Sequence, residues 1–160
     1  MDRINQICSH PRWTQSVEEI RRLEQDRIFC KHDTVHFLDV ARIAWIENLE
    51  TGLGIPKEEI YAAALLHDIG RRLQYTTGVP HEQASAVEAE GILKDCGFSR
   101  EEQERIIAAI LQHSDQKTRT AEGLPGLIYR ADKSSRPCLF CDVRMKCKWG
   151  EEKRNFTLTR

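Results

Sequence analysis

Apolar residues recur at helical spacing along nearly the whole 160-residue chain, and no run of alternating β-branched residues interrupts them. Val17, Ile20, Leu23 and Ile28 mark a helix from Val17 to Phe29. Val35, Leu38, Ala41 or Arg42, and Trp45 line one side of another from Thr34 to Leu49, with Asp33 or Thr34 as its N-cap. Gly52-Leu53-Gly54-Ile55-Pro56 breaks the pattern. Pro56 ahead of Lys57-Glu58-Glu59 then starts a helix through the Ala/Leu-rich stretch Ile60 to His67, apolar enough to be buried on most sides. Gly70 and Thr76-Thr77-Gly78-Val79-Pro80 read as a loop. Further helices run from about Glu82 to Asp95, from the capping-box pair Ser99 and Glu102 to about His113, and from Leu127 to Ser134 after the reset at Gly123-Leu124-Pro125-Gly126. The pattern predicts an all-α, single-domain helical bundle of six or seven helices, with no internal repeat.

Composition narrows the class of partner. At ~150 residues per domain the length fits one domain. Lys and Arg number 24 against 25 Asp and Glu, a formal charge of −1, so electrostatics give no reason to expect a nucleic-acid polymer or an anionic membrane as partner. Hydrophobic residues at 40% are enough for a core, yet runs such as Tyr61 to Leu66 fall far short of the ~20 residues that cross a bilayer. No basic-then-apolar leader opens the sequence, so a cytoplasmic protein with reduced thiols is expected.

Histidine is the informative residue type. His67 and Asp68 close an apolar helix just before Ile69-Gly70; His113 ends the apolar stretch Ile106 to Gln112; Asp132 follows Leu127-Ile128-Tyr129-Arg130-Ala131. An imidazole or carboxylate buried without a partner is costly, and a bound cation removes that cost. Mixed imidazole and carboxylate donors suit Fe, Mn, Zn, Co or Ni. Adjacent helical side chains diverge by ~100°, so His67 and Asp68 reach one ion only where the helix is ending, a need Gly70 fits.

His36-Phe37-Leu38-Asp39-Val40-Ala41, His67-Asp68-Ile69-Gly70 and Ala131-Asp132-Lys133-Ser134 follow one another in the order His, His-Asp, Asp. That ordered set resembles the HD-domain metal-dependent phosphohydrolases over roughly Cys30 to Arg136. The resemblance implies a helical bundle with a metal on His36, His67, Asp68 and Asp132. HD domains with two metals are similar to this chain in having two more histidines before the final aspartate, the interval that holds His81 and His113. Carried over, Asp68 bridges the two ions and His81 and His113 hold the second. The implied cofactor is a pair of divalent transition-metal ions, Fe or Mn favoured, with Zn, Co, Ni or Mg as alternatives.

The same resemblance implies hydrolysis of a phosphate ester or anhydride, with a nucleotide or another small phosphorylated compound as substrate. Two cations ~3.5–4 Å apart bind a phosphate oxygen and lower the pKa of a water toward neutrality. Asp68, Arg71 and Lys133 are the catalytic candidates, and Arg71, Arg72, Lys133 and the more remote Arg136 the phosphate-binding ones. The family often has Lys where this chain has Arg71. Ala131 to Arg136 resembles a subgroup that cleaves dinucleoside polyphosphates. Two rival readings stand beside this one: a di-iron HD oxygenase using the same six ligands, and a non-catalytic metal- or nucleotide-sensing module. An oligomer is neither required nor excluded.

Plainer roles exist for each residue. His67-Asp68 could be a paired helix C-cap, His36 a surface histidine paired with Asp33 or Asp39, His81 a capping group after Pro80, His113 an imidazolium at a helix C-terminus, and Asp132 a partner of Arg130 or Lys133. His32-Asp33 is a second His-Asp pair at a helix start, so His32 reads as a capping group or as support behind the ligands. His10 reads as a solvated loop residue. Residues 1–29 read as a helical lead-in, 30–136 as the HD-like metal-binding domain and 137–160 as a basic tail with six Lys/Arg against three Asp/Glu. In that tail Cys138, Cys141 and Cys147 have the first half of a zinc or iron–sulfur spacing, which only Cys8, His10 or Cys30 could complete by folding back. The favoured reading is a reduced extension packed through Leu139, Phe140 and Trp149.

Overall fold

A computed structural model describes residues 1–158 and 160. Its α-helices are α1 (Asp2–Ser9), α2 (Pro11–Leu23), α3 (Thr34–Thr51), α4 (Lys57–Leu66), α5 (Arg71–Thr77), α6 (His81–Asp95), α7 (Arg100–Gln112) and α8 (Gly123–Ser134). Short 3₁₀ helices lie between α7 and α8 at Gln116–Thr120 and after α8 at Cys138–Phe140, Arg144–Lys146 and Glu151–Lys153, and there is no strand among the described residues. No described helix is long and apolar enough to cross a membrane.

The core is built around α4. Ile60, Ala62, Ala63, Ala64, Leu65 and Leu66 are all buried, because the alanines let α1, α3, α6, α7 and α8 approach from different sides. Phe37, Val40, Ala41 and Ala44 from α3, Ile106, Ala109 and Ile110 from α7, and Leu127, Ile128 and Ala131 from α8 fill the contacts. Trp13 on α2 is buried too, and its indole N–H donates to the Leu65 carbonyl at 2.9 Å, one of the acceptors a helix end leaves free. Local signals fix the ends. Asp33 accepts from the His36 N–H at 2.9 Å, and Ser99 and Glu102 close the expected capping box.

Several expectations are corrected. The helix expected over Val17 to Phe29 instead starts at Pro11 and ends at Leu23. Pro11 takes the first helical position, and His10, expected in a solvated loop, caps it: its Nδ1 accepts from the Arg12 N–H at 3.2 Å and its Nε2 lies 3.3 Å from Asp95. The loop expected after Gly70 carries α5. Gly70 is also present for a different reason. Its φ of −74° is open to any residue, but a Cβ there would stand 2.3 Å from the Ser85 backbone nitrogen and 2.5 Å from the His81 carbonyl oxygen. Glycine lets the end of α4 press against α6, and the Gly70 N–H donates to Ser85 Oγ at 2.9 Å. In the tail, Leu139, Phe140 and Trp149 are exposed rather than packed, and Cys138 is the residue buried there.

Candidate metal centre

Six side chains from five stretches of chain converge beside the buried end of α4. His67 and Asp68 follow α4, His36 lies in the first turn of α3, His81 opens α6, His113 follows α7 and Asp132 lies near the end of α8. His67, Asp68 and His113 are essentially inaccessible to solvent. Asp68 lies at the middle. Its Oδ2 is 3.3 Å from His67 Nε2 and 3.8 Å from His36 Nε2, while its Oδ1 is 3.3 Å from His81 Nε2 and 3.5 Å from His113 Nε2. Asp132 Oδ1 completes the first side, 3.5 Å from His36 Nε2 and 3.9 Å from His67 Nε2.

The histidine tautomers follow from their other nitrogens. His67 Nδ1 donates to the Ala64 carbonyl at 2.7 Å, and His113 Nδ1 donates to the Ile110 carbonyl at 2.6 Å. The Ser135 hydroxyl gives its proton to the Asp132 carbonyl at 2.8 Å, so it accepts from His36 Nδ1 at 3.2 Å. Each of these imidazoles therefore presents an Nε2 lone pair to the centre, as outer hydrogen bonds arrange in metal sites. Yet the Nε2 atoms face one another, His36 to His67 at 3.3 Å and His81 to His113 at 3.1 Å. Between His36 and His67 the lone pairs oppose and repel, and a cation there turns repulsion into ligation, while His113 offers a third lone pair toward the ring of His81. The donor set fits a metal for that reason.

Electrostatics agree. Burial holds His67 below the ordinary imidazole pKa and pushes His81 down to about 3, so both stay neutral and able to ligate. Burial works to raise Asp68, but His67, Arg71 and His32 outweigh it and keep the carboxyl well below the usual range. Asp132 is also lowered, with Lys133 the main opposition to its burial. Two triads, His36-His67-Asp132 and His67-Asp68-His113, already bring one donor atom each within 4.8 Å of the others. His81 joins from the side, where its Nδ1 approaches Glu82 at 3.2 Å without hydrogen-bond geometry.

The basic residues separate into two groups. Arg71 donates from Nε to Asp68 Oδ1 at 3.0 Å, and Lys133 sits against the Asp132 carboxylate with its ammonium over the Tyr129 ring. Arg72, expected to bind phosphate, points away from the centre to Ser16, Glu19 and Glu88, at 3.1, 3.2 and 2.5 Å. Arg136 also stands apart: its guanidinium stacks on Trp149 and donates to the Lys153 carbonyl.

An additional set of hydrogen bonds, centred on the buried Glu24, lies behind Asp68. His32 Nε2 is 3.7 Å from Asp68 Oδ2, and its Nδ1 is 2.5 Å from Glu24, which also accepts from the Tyr75 hydroxyl at 2.5 Å. His32 thus stands behind Asp68 and does not cap α3, whose cap is Asp33. Glu24 and Tyr75 escape a reading of the sequence, because an acid just past a helix end and a tyrosine in an unforeseen short helix carry no spacing signal.

Fold and donor set together define a helical protein organised around a His/Asp metal cluster. The HD domain family matches residues 34–146, and the chain belongs to that family. It is similar to an uncharacterized protein of Clostridium beijerinckii, 46% identical over 158 residues and covering 99% of each chain. It is also similar to a predicted HD superfamily hydrolase from an uncultured Thermotogales bacterium, known from a crystal structure at 1.45 Å resolution. That likeness has a TM-score of 0.65 and 25% identity, covering 89% of this chain and 79% of the other.

Proposed function

We propose that this chain is a metal-dependent phosphohydrolase that cleaves an ester or anhydride bond of a nucleotide or another small phosphorylated compound at a centre for two divalent cations. The observation that carries this reading is Asp68, whose two oxygens face different imidazole pairs, Oδ2 toward His36 and His67 and Oδ1 toward His81 and His113. A single ion on the first side leaves His81, His113 and the Oδ1 of Asp68 without a part in holding it. When bound, divalent cations supply the Lewis acidity that generates hydroxide near neutral pH and neutralises phosphoryl charge.

The remaining work falls to the chain. Arg71, held between Asp68 at 3.0 Å and Gln74 at 3.2 Å, stands where a guanidinium can meet phosphoryl oxygens. Lys133, beside Asp132, also borders a cleft of about 620 Å³ lined by Arg119, Arg130, Arg136 and Lys153, with Glu47 and Glu152 as its acids. A basic cleft next to the ligands suits an anionic substrate. Likeness to a predicted hydrolase supports hydrolysis over oxygen chemistry.

The test is phosphate release from a panel of nucleoside mono- and polyphosphates by the Mn²⁺-loaded protein and its His67→Ala and Asp68→Ala variants. Both variants should lose metal and lose more activity than the ~10–100-fold typical of removing an outer hydrogen-bond partner. Turnover retained by metal-free Asp68→Ala would overturn the reading. So would oxygen uptake with a mixed-valent di-iron resonance in place of phosphate release, or micromolar nucleotide binding with no turnover.

A further inference from the structure

The tail folds back on the segment that leads into α3, and four cysteines border the cleft between them. Cys30, Cys138, Cys141 and Cys147 line one cleft of about 620 Å³. Cys30 lies close enough to Cys138 and Cys141 that, with burial as the larger cause, their charges push its thiol up. The two remaining cysteines, Cys8 and Cys96, are outside this cleft, packed at the helical core. The cysteine pattern across sequence and space is thus three plus one: Cys138, two residues, Cys141, five residues, Cys147, with Cys30 remote in sequence.

We propose that Cys30, Cys138, Cys141 and Cys147 are the ligands of an iron–sulfur cluster, independent of the His/Asp centre. Thiolates select soft metals such as zinc and iron–sulfur clusters, and three features favour the cluster. Structural zinc sites draw on two short-spaced ligand pairs, whereas three neighbouring cysteines with a distant fourth is a spacing of iron–sulfur proteins. Tetrahedral zinc also gathers its four sulfurs within ~3.8 Å of one another, the edge that a 2.3 Å Zn–S bond dictates. No three of these thiols lie within 4.8 Å, for both triads meeting that spacing among the described residues belong to the His/Asp cluster. A cluster presents a separate iron to each pair or single thiolate and so holds its sulfurs wider apart. Lastly, Arg27, Lys31, Arg144, Lys148 and Arg154 line the cleft against Asp33 and Asp142, which offsets the net negative charge of an iron–sulfur centre on four thiolates.

The fold gives such a centre a task. Residues 137–158 contain no α-helix and one buried residue, Cys138, so burial contributes little to holding them. Cys141 and Cys147 each close a 3₁₀ turn, and Asn155 donates to the carbonyls of Lys133, Ser134 and Arg136 at the end of α8. Cys30 is six residues before His36, and Cys138 is six residues after Asp132. Ligating all four thiols would staple the chain beyond α8 to the chain before α3, fixing two metal-ligand helices by their outer ends.

The experiment is acid-labile sulfide and iron analysis of the full chain, purified anaerobically and reconstituted with ferrous iron and sulfide. Sulfide distinguishes this centre from iron on histidines. Roughly two to four sulfides per chain are expected, with a broad visible absorption that dithionite bleaches. Cys141→Ser and Cys147→Ser should each lose the sulfide, and Cys96→Ser should keep it. If a variant fails to fold, the sulfide content of the unaltered chain still decides. No sulfide after reconstitution, sulfide unchanged in both folded tail variants, or stoichiometric zinc on these thiols would each overturn the proposal.

Discussion

His81 and His113 aim their Nε2 atoms at each other across 3.1 Å. The His113 Nδ1 proton is committed to the Ile110 carbonyl, so its Nε2 offers a lone pair toward the ring of His81, which burial holds neutral. The His36–His67 pair repeats it on the other side of Asp68. Twofold use of one motif around one carboxylate is the physical basis of everything proposed for the centre.

Metal should therefore stabilise the fold. A ligand that binds only the folded state at 100 times its Kd adds about 2.7 kcal/mol, which for a chain of this size raises Tm by roughly 5–10 °C. Calorimetry of chelator-treated protein before and after Mn²⁺ should show that rise, and His113→Ala should show a smaller one. A Tm indifferent to Mn²⁺ would contradict the account.

Acid should weaken the metal-free protein. Burial lowers His67 and brings His81 to about 3, from an ordinary value of 6.5 regained on unfolding. Between those limits the unfolded chain binds more protons, so stability is full above 6.5 and falls as pH drops toward 3. Glu24 acts in the same direction: burial opposes, but the bonds and charge of His32 bring it to about 2 from 4.5, so its contribution is lost as pH falls below 4.5. His36 acts oppositely, since Asp68 and Asp132 outweigh its burial and raise it. Urea midpoints measured with chelator should decline through this range, and a rising profile would contradict the assignment.

Arg71 and Arg72 are neighbours with separate fates. Arg71→Ala should lower turnover by about 100-fold, the scale of losing one charge-stabilising donor. Arg72→Ala should leave turnover intact and cost about 1–3 kcal/mol, because the mostly buried Glu88 loses its cation and keeps the Ser16 hydroxyl as donor. Steady-state kinetics and urea denaturation of both variants separate these outcomes.

Gly70→Ala should damage stability and the centre together. Its Cβ would overlap backbone atoms of Ser85 and His81, so α6 must move and carry His81 with it. The expected loss is about 3 kcal/mol, the upper end of the usual overpacking cost, with reduced uptake of the second metal equivalent, read by urea denaturation and elemental analysis.

The residues that read clearly in the sequence are those whose chemistry conflicts with their surroundings. His67-Asp68, His113 and Asp132 stand out because polar groups end apolar helices, and Asp33, Ser99 and Glu102 because caps act locally. What the sequence hides depends on tertiary direction. Arg71 and Arg72 differ by ~100° around a helix whose existence the Gly- and Thr-rich flanks obscured. Glu24 joins the centre only through His32, eight residues on, and the partners of Cys138 depend on a loop that no periodicity describes.

Anomalous diffraction from crystals grown with Mn²⁺, an ion that prefers oxygen and nitrogen donors to thiolates, tests the central claim most directly. The account predicts two peaks, one on each side of the Asp68 carboxylate, the first within bonding distance of His36, His67 and Asp132 and the second of His81 and His113. A single peak on the first side, or none among these six residues, would contradict it.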